Sequence, residues 1–196
     1  MCKTHFPFDQ TRAEGLLLRK ATEGDQSAYI ELSTDAHVRF HLGGPVPIER
    51  LRARLESRGA PSITADPGSF VIADGATDEL LGLVSLDRRS SGRPGHITKT
   101  GNELELSYLL RRGHWGRGIS SRAASLLLKT AAQHFEDQPV LVVTQMSNEA
   151  SLALARRLGF EHAATFTEFG AEQWLGVRGL HQPPRDSRRG HRSKNP

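Results

Sequence analysis

At 196 residues, 37% hydrophobic and 24% charged, the chain has apolar material for one full core and shows no repeat that would suggest a second domain. No run of eighteen apolar residues occurs, and Met1-Cys-Lys-Thr-His-Phe lacks the apolar stretch of a secretory signal, so a cytoplasmic protein without a membrane span is expected. The net charge of +4 belongs to residues 181–196, where five basic residues face only Asp186; residues 1–180 are neutral, which removes the reason to read the folded part as a nucleic-acid binder.

In chain order, residues 1–14 form an N-terminal extension and 15–180 the domain. Leu16 to Ala21 predicts a strand, and Thr22 or Asp25 caps a helix running to about Ser33. Pro47 opens a second helix with Ile48, Leu51 and Leu55 on one face. Ser69–Ala73 and Leu80–Leu86 are apolar strands joined across Asp74-Gly-Ala-Thr-Asp, and Ser90 to His96 is a flexible loop. From Glu103 to Leu110 apolar and polar residues alternate as in a strand with one buried face. Gly118 begins a helix to Gln133, with Ala123, Leu127, Ala131 and Phe135 as its stripe. Val140–Thr144 suits a central strand, Asn148 caps a helix through Arg157 with Gly159 at its stop, and Phe160–Phe166 and Gln173–Val177 pair across Glu168-Phe-Gly-Ala.

Between the Glu103–Leu110 strand and the helix from Gly118 lies Arg111-Arg-Gly-His-Trp-Gly-Arg-Gly118. A strand entering a glycine-rich turn that opens a helix gathers unpaired N–H groups, and a phosphate fits that concavity. The turn is neither G-x-x-x-x-G-K-[ST] nor G-x-G-x-x-G, and by itself it also suits a purely structural connection.

The segment Leu109 to Ser120 resembles motif A of the GNAT N-acetyltransferases, in which Q/R-x-x-G-x-G/A holds the pyrophosphate of acetyl-CoA. Asn148-Glu-Ala-Ser151 followed by Arg157-Leu-Gly-Phe160 is similar to the family's N-x-x-S and L-G-F signature; Leu16 to Thr22 with Asp25 resembles its opening strand, and Asp35 to Phe40 its helix-to-loop segment. Trp115-Gly-Arg-Gly118 is similar to the W-G-x-G of the RimJ/RimL-like branch, which acetylates ribosomal-protein N-termini. Two positions depart: Gly113 stands where the wider family has Gln or Arg, and Arg122 where the branch has Glu, so no role for that glutamate carries over.

The resemblance implies an α/β fold, a mixed, twisted central sheet flanked by helices, with splayed central strands forming the acetyl-CoA slot. Main-chain groups of Leu109 and Leu110 would pair with the pantetheine amides. The diphosphate would sit on N–H groups from Gly113 and His114 through Trp115, Gly116, Gly118 and Ile119 to Ser120, with Arg112 and Arg117 adding charge or remaining solvated. Asn148 would bind pantetheine, cap its helix, or do both. Ser151 matches the serine that protonates the leaving thiolate, or is an ordinary first-turn residue, and an N–H near Leu110 would polarise the thioester oxygen. Glu105, with Glu103 second, is the candidate base that deprotonates the amine, the alternative being ordinary strand carboxylates. Tyr108 reads as a core or slot-wall residue.

The acceptor groove would come from Asp35–Pro47 and Thr167–Trp174, holding Arg39, Phe40, His41, Glu168, Glu172 and Trp174, with the two glutamates able to meet a cationic amine or simply solvated. His37 and His41 are spaced i, i+4 but lack the glutamate of H-E-x-x-H, so no metal is expected. Cys2, the single cysteine, permits no internal disulfide and reads as an unreactive terminal thiol. The partners implied are acetyl-CoA and an amine: a protein N-terminal α-amine first, a small-molecule amine such as an antibiotic second, and third a non-catalytic acyl-CoA-binding module, which Arg122 would suit. The basic tail would tether the protein to ribosome or another polyanion, or be a solvated extension; monomer and homodimer both stay open.

Overall fold

The computed structural model describes residues 6–183, so Cys2 and the tail beyond Pro183 lie outside the described residues. Among these, β1 (Gln10–Ala13), β2 (Leu16–Arg19), β3 (Ser69–Asp74), β4 (Leu80–Arg88), β5 (Leu104–Leu110), β6 (Pro139–Gln145), β7 (Glu161–Glu168) and β8 (Ala171–Gly179) form one sheet in the order β1-β2-β3-β4-β5-β6-β8-β7. Neighbours run antiparallel except β5 and β6, which are parallel and need a crossover. That crossover is α3 (Ile119–Ala132), and α1 (Gln26–Thr34), α2 (Ile48–Arg58) and α4 (Glu149–Arg157) complete the helices. The mixed, twisted α/β architecture is the one the resemblance implies.

Periodicity explains how the helices sit. Ala123, Leu127 and Ala131 with Ala124 and Leu128 are buried, and with Leu152 and Ala155 of α4 they pack on Leu104, Leu106, Val140 and Val142. The other face is covered by Tyr29 and Leu32 of α1 and Leu51 and Leu55 of α2, against Val71, Ala73 and Leu80. The sheet is thus closed on both faces.

Two segments differ from the sequence expectation. No strand is predicted before Leu16, because Gln10, Thr11 and Arg12 show no apolar alternation, yet Gln10–Ala13 pairs with β2. Its approach is fixed by Phe6 and Phe8, whose rings lie 5.0 Å from Phe135 and 5.4 Å from Phe70 respectively. The loop predicted to be flexible at Ser90–His96 is instead tied down: Arg89 donates to the Pro94 carbonyl at 3.0 Å, and His96 meets the Glu103 carboxylate at 2.6 Å.

The feature that positions the site is the short pairing of β5 with β6. Only Leu104↔Val140 and Glu105↔Leu141 are in register, after which the strands part. A cleft opens between their C-terminal ends.

Candidate active site

The cleft has a volume of about 370 Å³ and runs from the turn before α3, between β5 and β6, to the first turns of α4. Its polar lining follows from the β4–β5 register. Arg111 N–H donates to the Leu81 carbonyl and Arg89 N–H to Glu103, which makes the odd-numbered residues of β5 the hydrogen-bonded partners of β4. The main-chain groups of Leu106, Tyr108 and Leu110 therefore face the splay. Leu109, expected from sequence to offer its amide to the ligand, spends it on Leu83 and lines the cleft with its side chain. The Leu110 carbonyl is also occupied, accepting from Trp115 Nε1 at 2.9 Å, so Leu110 retains its N–H for a ligand.

At the mouth, Arg112–His114 form a 3₁₀ turn, and Gly116 and Gly118 adopt φ of 74° and 69°, a left-handed backbone that other residues enter at a cost. Open space lies where a Cβ would project from either glycine. The first intrahelical bond of α3 runs from Arg122 N–H to Gly118, leaving the N–H groups of Ile119, Ser120 and Ser121 unpaired within the helix and its positive dipole end directed at the mouth. Arg112 and Arg117 flank this turn, exposed. The cradle fits a diphosphate, and the splay fits an extended amide-bearing arm. Arg122, by contrast, donates to the Glu14 carbonyl and is a surface tie between α3 and the β1–β2 turn.

On the α4 wall, Asn148 accepts from Ser151 N–H at 3.1 Å, which caps the helix and leaves its NH₂ to face the cleft. Ser151 also lines the cleft, and its Oγ lies 2.8 Å from the Tyr108 hydroxyl. Burial pushes the Tyr108 phenol up to about 12, against the smaller opposing effect of Ser151, so it remains protonated through the neutral range. The pair joins β5 to α4 across the cleft by a hydroxyl relay that the sequence, with Tyr108 read only as wall, does not show.

The carboxylates expected to act as base lie elsewhere. Burial alone would raise the Glu103 carboxyl, but hydrogen bonds from His96 and Thr98 outweigh it and bring it down to about 2. Its oxygens accept from the N–H groups of Ile97 and Thr98 and from Thr98 Oγ1 at 3.0, 2.7 and 2.8 Å, so it organises the loop before β5. Glu105 sits at the closed end, where β5 still pairs with β6, and meets Arg89 at 2.8 Å. Neither carboxylate lines the cleft.

The residues expected to build an acceptor groove divide. Arg39 turns its guanidinium to the carbonyls of Gly44 and Leu42, and Phe40 stands 73% exposed. Glu168 is held by Arg93 at 2.9 Å, which with Arg89 keeps its carboxyl below the usual range. Trp174 is in the core beneath β8 and cannot wall a groove. On the face covered by α1 and α2, a second, shallower groove of about 200 Å³ runs over β4 and β5 beneath Leu42 and Ile63; Leu42, Ser107, Tyr108 and Leu109 line both it and the cleft. The two openings thus meet across β5. His41, expected from sequence among the residues of the acceptor groove and given no catalytic role there, also lines the cleft, its Nδ1 3.0 Å from Gln145 Oε1.

Comparison with known proteins agrees with this geometry. The family model for the acetyltransferase (GNAT) domain matches residues 15–161. A GNAT-family acetyltransferase from Bacillus anthracis superposes with a TM-score of 0.71 at 16% identity, covering 88% of this chain and 99% of its own. RimL, the ribosomal L7/L12 α-N-protein acetyltransferase, superposes with a TM-score of 0.63 at 18% identity, over 85% of this chain and 91% of its own. An aminoglycoside acetyltransferase in complex with coenzyme A does so at 0.65 and 17%, over 83% and 94%. At these identities the superpositions speak to the fold alone.

Proposed function

The chain belongs to the GNAT acetyltransferase family, with acetyl-CoA as its acetyl donor, and on that footing we propose that it acetylates a primary amine, the α-amine of a peptide or protein N-terminus before a polycationic small molecule. The reading is carried by one observation: the cleft that opens at the glycine turn meets a separate groove across β5, and the Ser151–Tyr108 pair stands on its wall.

Each residue then has a task set by its place. The N–H groups after Gly116 and the start of α3 hold the diphosphate, with Arg112 and Arg117 adding charge. Main-chain groups of Leu106 and Tyr108 and the Leu110 N–H extend the sheet onto the pantetheine arm, and one of these N–H groups polarises the thioester oxygen. The acceptor amine attacks the thioester carbon from the groove side, the C–S bond breaks, and Ser151 Oγ delivers its proton to the departing sulfur, backed by the Tyr108 hydroxyl.

The choice of acceptor rests on charge. Among the described residues, no Asp or Glu lines either the cleft or the groove, and Glu168 is already neutralised by Arg93 and Arg89. A polycation finds no counter-charge there, whereas a single amine on a peptide chain, entering over Leu42, meets mostly apolar walls and the Ser85 and Ser107 hydroxyls. Coenzyme A release, measured over a panel of peptides with free N-termini, aminoglycosides and polyamines, tests this. Turnover confined to peptides is expected; preference for a polycation would reverse the choice of acceptor, and acetyl-CoA binding without turnover of any amine would mark a binding module instead.

A further inference from the structure

We propose that His41 is the base of the transfer, taking the acceptor amine's proton on Nε2. The inference rests on the reading of the cleft as the acetyl-CoA site and adds the proton acceptor that this reading lacks. An amine that is to attack a thioester must lose a proton, and a group must stand in or beside the cleft to receive it. Besides the serine and tyrosine already described, the titratable or charged side chains lining the cleft are His37, His41 and Arg157, with no carboxylate among the described residues. An arginine stays protonated and cannot accept. The task falls to an imidazole.

His41 is built for it where His37 is not. The side-chain oxygen of Gln145, at the end of β6, lies 3.0 Å from His41 Nδ1, and an amide oxygen only accepts. Nδ1 therefore carries the hydrogen in the neutral ring, and Nε2 keeps its lone pair. Ser147 Oγ stands 3.5 Å from the same Nδ1, and the Phe40 ring packs edge-on at 4.9 Å, so strand end, turn and loop together fix the ring plane. The charged neighbours on the loop point elsewhere: Asp35 accepts from the N–H groups of His37 and Val38, and Arg39 is turned to Leu42 and Gly44. His37 is exposed. The loop of His41 also supplies Leu42, which lines both the cleft and the acceptor groove, so the imidazole lines the cleft one residue away from a side chain that the two openings share.

The step balances. The amine nitrogen forms a bond to the thioester carbon, the C–S bond breaks with its electron pair going to sulfur, the amine proton passes to His41 Nε2, and sulfur receives the Ser151 proton. Water then removes a proton from His41 and restores one to Ser151, leaving amide and coenzyme A. Gln145 acts through His41 and is a positioning residue.

The test uses the full chain with acetyl-CoA and the best amine of the acceptor panel. His41→Ala is expected to lower kcat/KM about 100-fold, to leave the calorimetric Kd for acetyl-CoA within about twofold, to displace the acid limb of the pH profile, and to regain activity saturably with added imidazole. His41→Gln, which fills the same space, is expected to lose activity equally, and Gln145→Leu to reduce kcat about tenfold with KM unchanged. A His41→Ala protein with unaltered kcat/KM and pH profile, or one that loses acetyl-CoA binding in step with activity, overturns the assignment. Failure of the unaltered protein to acetylate any amine overturns the proposed function first, and this inference with it.

Discussion

Two side chains carry most of their consequence through a single hydrogen-bonded contact. Ser151 Oγ and the Tyr108 hydroxyl lie 2.8 Å apart, and burial holds the phenol up to about 12, so the tyrosine stays protonated and, on the proposed chemistry, supports the serine as the proton donor. Ser151→Ala removes the acid and is expected to lower kcat about 100-fold, whereas Tyr108→Phe removes only its support and is expected to lower it about tenfold; steady-state kinetics with acetyl-CoA saturating checks both, since neither change reaches the diphosphate cradle. Glu103 has the opposite character, a buried carboxylate spent on structure. Its folded value of about 2 lies below the ordinary value of 4.5, so the unfolded chain binds the proton more tightly. The stability it contributes is present above pH 4.5 and disappears as pH falls from there toward 2. Glu103→Gln is therefore expected to cost about 2 kcal/mol at neutral pH and to flatten the acid side of the stability curve, as read by chemical denaturation between pH 2 and 7.

At the scale of elements the glycine turn separates conformation from motif. Gly116 and Gly118 need their positive φ, while Gly113 in the preceding 3₁₀ turn has an ordinary backbone and open space beside it. Gly118→Ala and Gly116→Ala are each expected to weaken acetyl-CoA binding about tenfold or more, by strain of about 1–2 kcal/mol and by a methyl group at the phosphate position; Gly113→Ala is expected to change Kd by less than about twofold, and calorimetry separates the three. The same contrast marks what the chain discloses before folding. Helix α3 is legible from Ala123, Leu127 and Ala131, and Asn148 as a cap from its place before an apolar stripe, because each signal is local and periodic. Strand β1 is not legible, since Gln10–Ala13 is ordered by aromatic rings packed against distant segments. Nor are Tyr108's relay to Ser151 or the Gln145–His41 contact, which join residues 43 and 104 positions apart. Burial of Glu103 and Trp174 was hidden for the same reason: strand alternation tells which residues share a face, not which of them the rest of the chain covers.

A slot between parted strands requires that they be held together somewhere, and over the whole molecule that hinge is narrow. Strands β1 to β5 join β6 to β8 through two register pairs, Leu104↔Val140 and Glu105↔Leu141. Arg89 reinforces the joint: its side chain is 0% exposed and meets Glu105 of β5 at 2.8 Å and Glu168 of β7 at 3.4 Å, so one guanidinium links both parts of the sheet, with Arg93 sharing both carboxylates. Removing one partner of a buried ion pair leaves the other charge uncompensated, at about 3–5 kcal/mol. For a chain of this size each kcal/mol moves the melting midpoint by about 2–4 °C. Arg93 still meets Glu168 at 2.9 Å and Glu105 at 3.8 Å, so Arg89→Leu is expected to stay near the low end of that energy range and to lower Tm by about 6 °C in a thermal melt. Glu105→Gln removes one charge from the same joint and distinguishes a hinge residue from a catalytic one: it is expected to lower Tm while leaving the acid limb of kcat/KM where it was. A shifted limb with an unchanged Tm would return the base to Glu105 and take it from His41. The two readouts are independent because the closed end of the splay, where Glu105 sits, is held by the sheet, and the open end, where His41 faces the cleft, is held by a loop against the end of β6.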